Sequence, residues 1–252
     1  MENPRQHYPP PDPERLAFFL LKDVRKAIGE YVMLHAGDRL AVAVSGGKDS
    51  LSLLRLLNLY RRSAETPFGL AAIHVRGDAT GITPLHPPLE DWLAAEALPY
   101  RIVQPELSPH ETFPLTCQRC TWLRRKALFI AAYELRCNVV AYAHHADDVS
   151  QTTLLNLVYG GTLRTLQPCA DYFAGRFRLI RPLIYTPESE LARFAALSSF
   201  PCPPQPCPRS ESSRRRRISE MLKLLGRDYL TQGRINLIRA GLAAGRETSA
   251  RD

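Results

Sequence analysis

The sequence predicts an α/β protein with a doubly wound, mostly parallel sheet and helices on both faces. Short apolar runs that end in glycine or polar residues alternate with longer segments of helical periodicity. Such alternation is typical of parallel strands joined by crossover helices. The chain has 252 residues, 45% of them apolar and 23% charged, which is enough for one large domain with a substantial core.

The predicted elements follow in order along the chain. Residues 1–12 are rich in proline and predict a loose arm, and 13–34 repeat apolar residues at helical spacing. Strands are predicted at 40–44, 69–75, 100–103 and 138–143, and helices at 49–62, 88–97, 121–135, 148–158 and 218–224. We therefore divide the chain into an N-terminal arm and helix (1–34), an α/β domain (35–200) and a C-terminal loop with a basic helical segment (201–252).

Charge and hydropathy narrow the function classes. The net charge of +8 and the pI of about 9.4 favour a polyanionic partner such as RNA, DNA or a membrane surface. The sequence contains no run of 18 apolar residues, so no membrane-spanning helix is predicted, and the N-terminus does not resemble a secretory signal. We therefore expect a cytoplasmic protein, in which close cysteine pairs serve metal or redox chemistry more often than disulfides.

The segment Ser45–Ser50 (SGGKDS) lies between a predicted strand and a predicted helix. Its glycines let the backbone approach a ligand, the helix N-terminus favours an anion, and Lys48 adds a cation. It is not a Walker loop, because only one glycine pair precedes the lysine. A tight turn that uses glycine for geometry alone is the plainer interpretation, but it leaves the lysine and both hydroxyls without a purpose. Asp49 beside a phosphate site is best explained by Mg²⁺.

Cys117 and Cys120 form a C-x-x-C immediately before a predicted helix. Two ordinary thiols, half of a zinc site or a redox dithiol are the simpler interpretations, but no second C-x-x-C exists and no strand precedes the pair. Either Cys202 or Cys207, in the proline-rich segment after residue 200, can supply a third thiolate. Three thiolates around a four-iron cluster leave one iron open to another ligand. Cys137 reads as a buried thiol, and Cys169 has no assigned role.

The motif Ser45–Ser50 resembles the pyrophosphate loop of the PP-loop ATPases, which cleave ATP to AMP and pyrophosphate. Over nearly its whole length the chain is similar to the tRNA 2-thiocytidine synthetases and their 2-thiouridine relatives. The residues that carry this resemblance are 45–50, Cys117, Cys120, Arg124–Arg125, His144–Asp148, Tyr159–Gly161 and Ile180–Leu183. The fold implied is the PP-loop type of nucleotide-binding α/β sheet.

The resemblance implies that Cys117, Cys120 and Cys207 hold a [4Fe-4S] cluster, with Cys202 as the reserve third ligand. The late segment is one residue shorter than the family pattern, and Ala143 stands where the family has glycine before its paired histidines. The zinc-binding cysteine pairs of many 2-thiouridine synthetases do not occur in this sequence, which favours the 2-thiocytidine side.

Further site residues are assigned from the resemblance and from charge. Asp147 and Asp148 precede a helix, so N-capping explains one of them, and the other is expected at the nucleotide. Basic clusters are often only solvated, yet next to the expected cluster they fit phosphate contacts. The expected catalytic residues are Lys48, Asp49, Arg124, Asp147 and Asp148. The expected ATP-binding residues are Ser45, Gly46, Gly47, Lys48, Asp49, Ser50, His74 and His145, and the expected tRNA-binding residues are Arg125, Lys126, Arg214, Arg215, Arg216 and Arg217.

The predicted function is ATP-dependent and iron–sulfur-dependent sulfur transfer to tRNA. ATP with Mg²⁺ adenylates the C2 carbonyl of a base, with cytidine preferred, and sulfur then displaces AMP. The partners are tRNA and a sulfur donor, either a cysteine desulfurase or sulfide, and a homodimer is one assembly that the resemblance allows. Two alternatives remain: a PP-loop ligase with a nitrogen nucleophile, similar to lysidine synthetase, and a non-catalytic nucleotide-binding or RNA-binding protein.

Overall fold

The computed structural model describes residues 12–82, 86–201, 207 and 214–249. Its centre is a six-stranded sheet in the order β3-β2-β1-β4-β6-β5. The strands are β1 (Arg39–Val44), β2 (Gly69–Val75), β3 (Tyr100–Val103), β4 (Val139–Ala141), β5 (Cys169–Tyr172) and β6 (Phe177–Ile180). All neighbouring strands run parallel except β5, which is antiparallel to β6 at one edge.

Helices cover both faces of the sheet. They are α1 (Pro13–Glu30), α2 (Lys48–Arg61), α3 (Pro87–Ala95), α4 (Cys117–Glu134), α5 (Ala146–Gly160), α6 (Glu188–Leu197), α7 (Arg214–Leu224), the short α8 (Gly226–Asp228) and α9 (Arg234–Ser249), with a π-helical turn at Tyr229–Gly233. None of the helices in the described part of the chain is long and apolar enough to cross a membrane.

The central strands β1, β2 and β4 are apolar because both of their faces are buried. Along β1, Leu40, Val42 and Val44 belong to the larger core, which includes α1, α2, α3 and α6. Ala41 points to the opposite face and packs in the smaller core under α4. A strand buried on both sides reads as a continuous apolar run, which is the pattern that predicted it.

The order of strands places a topological switch between β1 and β4. The connection from β1 leads outward to β2 and β3, while β4 and β6 lie on the other side of β1. The loops at the carboxyl ends of β1 and β4 therefore diverge and leave a crevice, which is where open α/β sheets bind ligands. These two loops carry Ser45–Gly47 and Tyr142–His145.

The predicted fold class is confirmed, and the four predicted strands are present, although β4 ends at Ala141. Helix α4 begins at Cys117 rather than at 121, so the C-x-x-C lies inside the first helical turn and not before it. Helix α5 begins at Ala146, which puts both aspartates inside the helix and leaves His145 as its N-cap. The N-terminal helix ends at Glu30 rather than at 34.

Elements β5, β6, α6 and α9 were not predicted. The two strands have only four residues each, too few for a pattern to stand out. Helix α9 contains Gly241, which reads as a helix breaker, but here it lets α9 approach α5. A Cβ at Gly241 would lie 2.5 Å from Thr153 Oγ1 and 2.8 Å from Thr165 Cβ. The division of the chain at residues 34 and 200 stays a prediction.

Candidate functional site

The loop after β1 is arranged as an anion cradle. Gly46 has a φ of +88°, a conformation that favours glycine. Gly47 caps α2 without a side-chain hydrogen bond, so no side chain at the cap competes for the first N–H groups of the helix. The hydroxyls of Ser45 and Ser50 lie 3.1 Å apart, and Ser50 donates to the Gly47 carbonyl at 2.9 Å, which fixes the loop around this helix terminus.

The Lys48 ammonium lies between two carboxylates. Its Nζ donates to Asp49 Oδ1 at 3.0 Å and to Glu188 Oε1, at the start of α6, at 2.9 Å. Burial opposes the charge of Lys48, but the hydrogen bond to Glu188 and the charge of Asp49 outweigh it and raise its pKa. Lys48 is therefore a stably charged cation at the mouth of the cradle.

His145 and Asp148 form a reciprocal capping box at the start of α5. His145 Nδ1 accepts from the Asp148 N–H at 3.4 Å, and Asp148 Oδ2 accepts from the His145 N–H at 3.2 Å. His145 Nε2 lies 4.0 Å from Asp49 Oδ2, so the N-termini of α2 and α5 lie next to each other. Asp148 also accepts from Arg215 Nη1 of α7 at 3.0 Å.

Asp147 is buried and its carboxylate is fully engaged. Oδ2 accepts from the Glu188 N–H at 2.8 Å, and Oδ1 accepts from the Tyr229 hydroxyl at 3.0 Å. The guanidinium of Arg234, on α9, lies 3.3 Å from Oδ1. Asp147 thus joins α5, α6 and the C-terminal helices, while the more exposed Asp49 and Asp148 side chains face the loops.

A cavity of about 270 Å³ lies between the carboxyl ends of the strands and α4. Its walls include Val44 at the end of β1 and Ser45 of the phosphate loop, the name we give to Ser45–Ser50. Ile73 from β2 and Arg124 and Arg125 from α4 complete these walls. A larger cavity of about 520 Å³ lies between α1 and α9 and contains no residue of the Ser45–Ser50 loop or of the C-x-x-C.

His74 and His144 close two sides of this region. The His74 ring N–H at Nδ1 donates to the Val44 carbonyl at 2.8 Å, and burial lowers its pKa. His144 stacks on Tyr142 and accepts at Nδ1 from Arg181 Nε at 3.1 Å. Burial, followed by the charge of Arg181, lowers the pKa of His144 to about 4, so it is neutral at physiological pH.

Cys117, Cys120 and Cys207 lie near one another at the start of α4. Thr116 caps this helix, and Cys117 and Cys120 share its first turn, where the helix dipole favours thiolates. Burial raises the pKa of Cys120, and the neighbouring Cys207, Asp78 and Cys117 raise it further. Cys207 donates a hydrogen bond to Asp78, a residue of the loop after β2.

These contacts test whether the chain fits an iron–sulfur cluster. Three thiols from two separate segments lie within electrostatic reach of one another, and thiolates are the usual ligands of such clusters. Across residues 12–82, 86–201, 207 and 214–249, no three metal-ligating side chains converge closely enough to hold a metal ion as they stand. The three thiols therefore fit a cluster by the chemistry of their donor atoms, but they do not form a closed metal site. Cys202 lies outside the described residues.

The other two cysteines have different surroundings. Cys137 is buried in the smaller core, and burial raises its pKa, as the sequence interpretation expected of a buried thiol. Cys169 begins β5, and burial raises its pKa as well.

The expected RNA-binding residues lie in different surroundings. Arg125 is on the cavity wall, where it interacts with Tyr142, and Lys126 lies on the outer face of α4. The side chains of Arg214, Arg216 and Arg217 are exposed on α7, with Arg214 stacked on Tyr159 and Arg216 paired with Glu220. Arg215 differs from them because it is tied to Asp148 and Thr152.

Several residues next to the site were not assigned from the sequence. Glu188 follows a proline at the start of α6, which is a recognisable helix-start signal, although its contact with Lys48 spans 140 positions. Tyr229 and Arg234 come from a segment that reads as a polar tail. No sequence signal links them to Asp147, because these contacts exist only after α7 and α9 pack on α5.

Residues 20–222 match the PP-loop domain family. The chain is 37% identical over 226 residues to the tRNA-cytidine(32) 2-sulfurtransferase of Anaeromyxobacter dehalogenans (strain 2CP-C), a match that covers 85% of this chain and 76% of the relative. It is also 37% identical to the enzyme of the same name from Syntrophotalea carbinolica, with 85% of each chain covered. Among solved structures it resembles the U34-tRNA thiolase NcsA from Methanococcus maripaludis with its [4Fe-4S] cluster, at a TM-score of 0.70 and 25% identity over 90% of this chain and 78% of that one.

Proposed function

The chain belongs to the PP-loop family and, within it, to the tRNA thiolation enzymes, and from that membership we propose a specific reaction. ATP adenylates the C2 carbonyl oxygen of a cytidine in tRNA, and sulfur then replaces that oxygen. By analogy with the relatives, the cytidine is the one at position 32, in the loop of the anticodon hairpin. The partners proposed are tRNA and a sulfur donor, either a cysteine desulfurase or sulfide. The cytoplasmic location and the homodimer stay predictions.

The observation that supports this proposal most is the sharing of one sheet edge by three features. The phosphate loop, the cavity and the first turn of α4 with Cys117 and Cys120 adjoin one another at the carboxyl ends of the strands. Arg124, one turn after Cys120, lies on the cavity wall. An activated base placed at this edge is thus within reach of both ATP and a cysteine-held sulfur centre.

The phosphate loop would bind and orient ATP. The N–H groups at the start of α2 and the hydroxyls of Ser45 and Ser50 would receive the phosphates, and Lys48 would move from Asp49 and Glu188 to the departing pyrophosphate. Asp49 and Asp148 are the carboxylates that we assign to Mg²⁺, because both side chains are partly exposed. Asp147 would act as a brace, because its buried carboxylate already accepts from Glu188, Tyr229 and Arg234.

The chemistry then has two balanced steps. The C2 oxygen of cytidine attacks the α-phosphorus of ATP, and the α–β phosphoanhydride bond breaks to release pyrophosphate. A sulfur nucleophile next forms a bond to C2, and the C2–O bond breaks so that AMP departs with that oxygen. We assign to Arg124, which lines the cavity, the stabilisation of the charge that develops on the α-phosphate.

Cys117, Cys120 and Cys207 would hold the [4Fe-4S] cluster. Bound by three thiolates, such a cluster offers one iron at which sulfur can be carried to the base. Helix α4 keeps the first two thiols in one turn, and the position of Asp78 next to Cys207 brings the late segment to the same place.

The proposal is tested by product analysis. Anaerobically purified protein, reconstituted with iron and sulfide, is incubated with tRNA, ATP·Mg²⁺ and sulfide, and the tRNA is digested to nucleosides for mass spectrometry. We expect 2-thiocytidine only when ATP is present. Lys48→Met should lower the rate by about 10²–10³-fold, since it removes one charge from the phosphate site. A nucleoside in which nitrogen has replaced the C2 oxygen would establish the ligase alternative, and tRNA binding without pyrophosphate release would establish the non-catalytic one.

A further inference from the structure

Trp122 is a large apolar side chain in an unusual position. It lies on α4 two residues after Cys120, and 52% of its surface is exposed. Exposed apolar side chains are common on proteins and need no explanation singly. Trp122 differs because it adjoins the candidate site: its neighbour Thr121 and the next-turn residue Arg125 both line the 270 Å³ cavity.

Two cations share the face of α4 that carries this indole. The central carbon of the Arg119 guanidinium lies 4.4 Å from the ring centroid, and Lys126 Nζ lies 5.9 Å from it. They come three residues before and four residues after Trp122, as expected for side chains that meet on one side of a helix. An aromatic surface flanked by positive charge suits a ligand that is flat and aromatic but joined to anions.

The Trp122 side chain is also held in place. Arg119 donates from Nη2 to Glu111 Oε2 at 2.8 Å and from Nε to Oε1 of the same carboxylate. These hydrogen bonds fix the guanidinium against the indole, so the ring is supported from within the protein. A platform ordered before binding loses less conformational entropy when a ligand stacks on it.

We propose that Trp122 is a stacking platform for an unpaired RNA base next to the target cytidine. The inference rests on the proposed function and adds to it a named contact. Nucleobases are flat, aromatic and linked by phosphates, so one base can stack on the indole while Lys126 meets a neighbouring phosphate. Bases within a duplex are not accessible for such stacking, whereas those of a hairpin loop are.

Fluorescence tests the platform directly, because the chain has only two tryptophans. The second, Trp92, lies on α3 and packs edge-on against Phe200. In Trp92→Phe all tryptophan emission comes from Trp122, and an anticodon hairpin RNA should quench this emission. In Trp122→Phe the remaining emission from Trp92 should not change. A blunt RNA duplex of the same length should quench Trp122 weakly.

Affinity and activity separate this inference from the proposed function. Trp122→Ala should weaken hairpin binding by roughly tenfold, and Trp122→Phe should keep most of the affinity, since it retains an aromatic face. Lys126→Ala should instead reduce the salt dependence of binding by about one counterion. Absence of quenching in Trp92→Phe, together with normal thiolation and an unchanged KM for tRNA in Trp122→Ala, would overturn the platform alone. If the wild-type protein neither binds nor thiolates tRNA, the proposed function is overturned as well.

Discussion

Individual side chains decide which groups near the phosphate loop are available for chemistry. Asp147 and Asp148 are adjacent in the sequence but serve different structural roles. The Asp147 carboxylate is surrounded by donors from three elements, whereas Asp148 shares its contacts with the helix cap and with exposed Arg215. Their position after a predicted strand, at the sheet edge of the Ser45–Ser50 loop, predicted that both lie near the site, but only the fold shows that Asp147 is the more enclosed of the two.

His144 should make stability depend on pH. Its pKa in the folded protein is about 4, against an ordinary value of 6.5, so the unfolded chain binds a proton more readily between these values. Its contribution is therefore present above pH 6.5 and is lost as the pH falls toward 4, an effect on the order of 3 kcal/mol. His144→Asn keeps an acceptor for Arg181 and should show a shallower loss of unfolding free energy in urea titrations across this range.

The exposed His110 provides the matched control for that experiment. His110→Asn should reproduce the pH dependence of the wild type. Equal acid sensitivity in His144→Asn and the wild type would contradict the buried, neutral state assigned to His144.

Cys207 should be required for iron, and Cys137 should not. Cys207 approaches the C-x-x-C through Asp78, whereas Cys137 is buried in the smaller core. Iron and acid-labile sulfide, measured after oxygen-free purification, should be about four each per chain in the wild type and in Cys137→Ala. Both should fall sharply in Cys207→Ala. If they fall in Cys202→Ala instead, the third ligand is Cys202.

The C-terminal helical segments contribute contacts to the site through Tyr229 and Arg234. The match to the PP-loop domain ends at residue 222, yet Tyr229 and Arg234 lie beyond it and contact Asp147. Helix α9 reaches this position because Gly241 permits close packing on α5. Helices α6 and α9, neither of which was predicted, thus both hold Asp147.

Removal of Arg234 should be costly because it leaves a buried carboxylate without its cation. Arg234→Met should lower the free energy of unfolding by about 3 kcal/mol, as is typical when one member of a buried ion pair is lost. Adding Asp147→Asn should recover part of this loss, because the neutral amide needs no counter-charge. Denaturant titrations of both single variants and the double variant give the coupling energy.

Arg216→Met is the comparison for that cycle. Arg216 pairs with Glu220 on the exposed surface of α7, and its removal should change the stability by less than about 0.5 kcal/mol. An Arg234→Met variant as mild as Arg216→Met would show that α9 does not brace Asp147.

At the scale of the whole molecule, the sequence predicted the sheet and the phosphate loop because both depend on local patterns. Buried parallel strands read as apolar runs, and SGGKDS combines glycines, a cation and hydroxyls within six positions. The contacts of Lys48 with Glu188 and of Asp147 with Arg234 span 140 and 87 positions, so no local pattern contains them. Cys207 was assigned as the third cluster ligand from the resemblance alone, since its segment has no periodicity, and that assignment stays a prediction.

The molecule's positive charge bears on its partner rather than on its fold. The net charge is +8, and exposed arginines at 214, 216 and 217 lie on α7, the helix whose Arg215 contacts Asp148. These arginines therefore lie on the same helix that contacts a carboxylate next to the Ser45–Ser50 loop. Phosphate contacts from exposed arginines orient RNA without reading its sequence.

In the proposed reaction, ATP activates the C2 carbonyl of the target base by adenylating its oxygen. An anticodon hairpin that carries a heavy oxygen isotope at C2 of the target cytidine, incubated with ATP·Mg²⁺ and sulfide, tests it most directly. We predict that the label appears in the phosphate of AMP, with one labelled AMP for each 2-thiocytidine formed. Thiolation with unlabelled AMP, or with the label released in water, would contradict adenylation of the base.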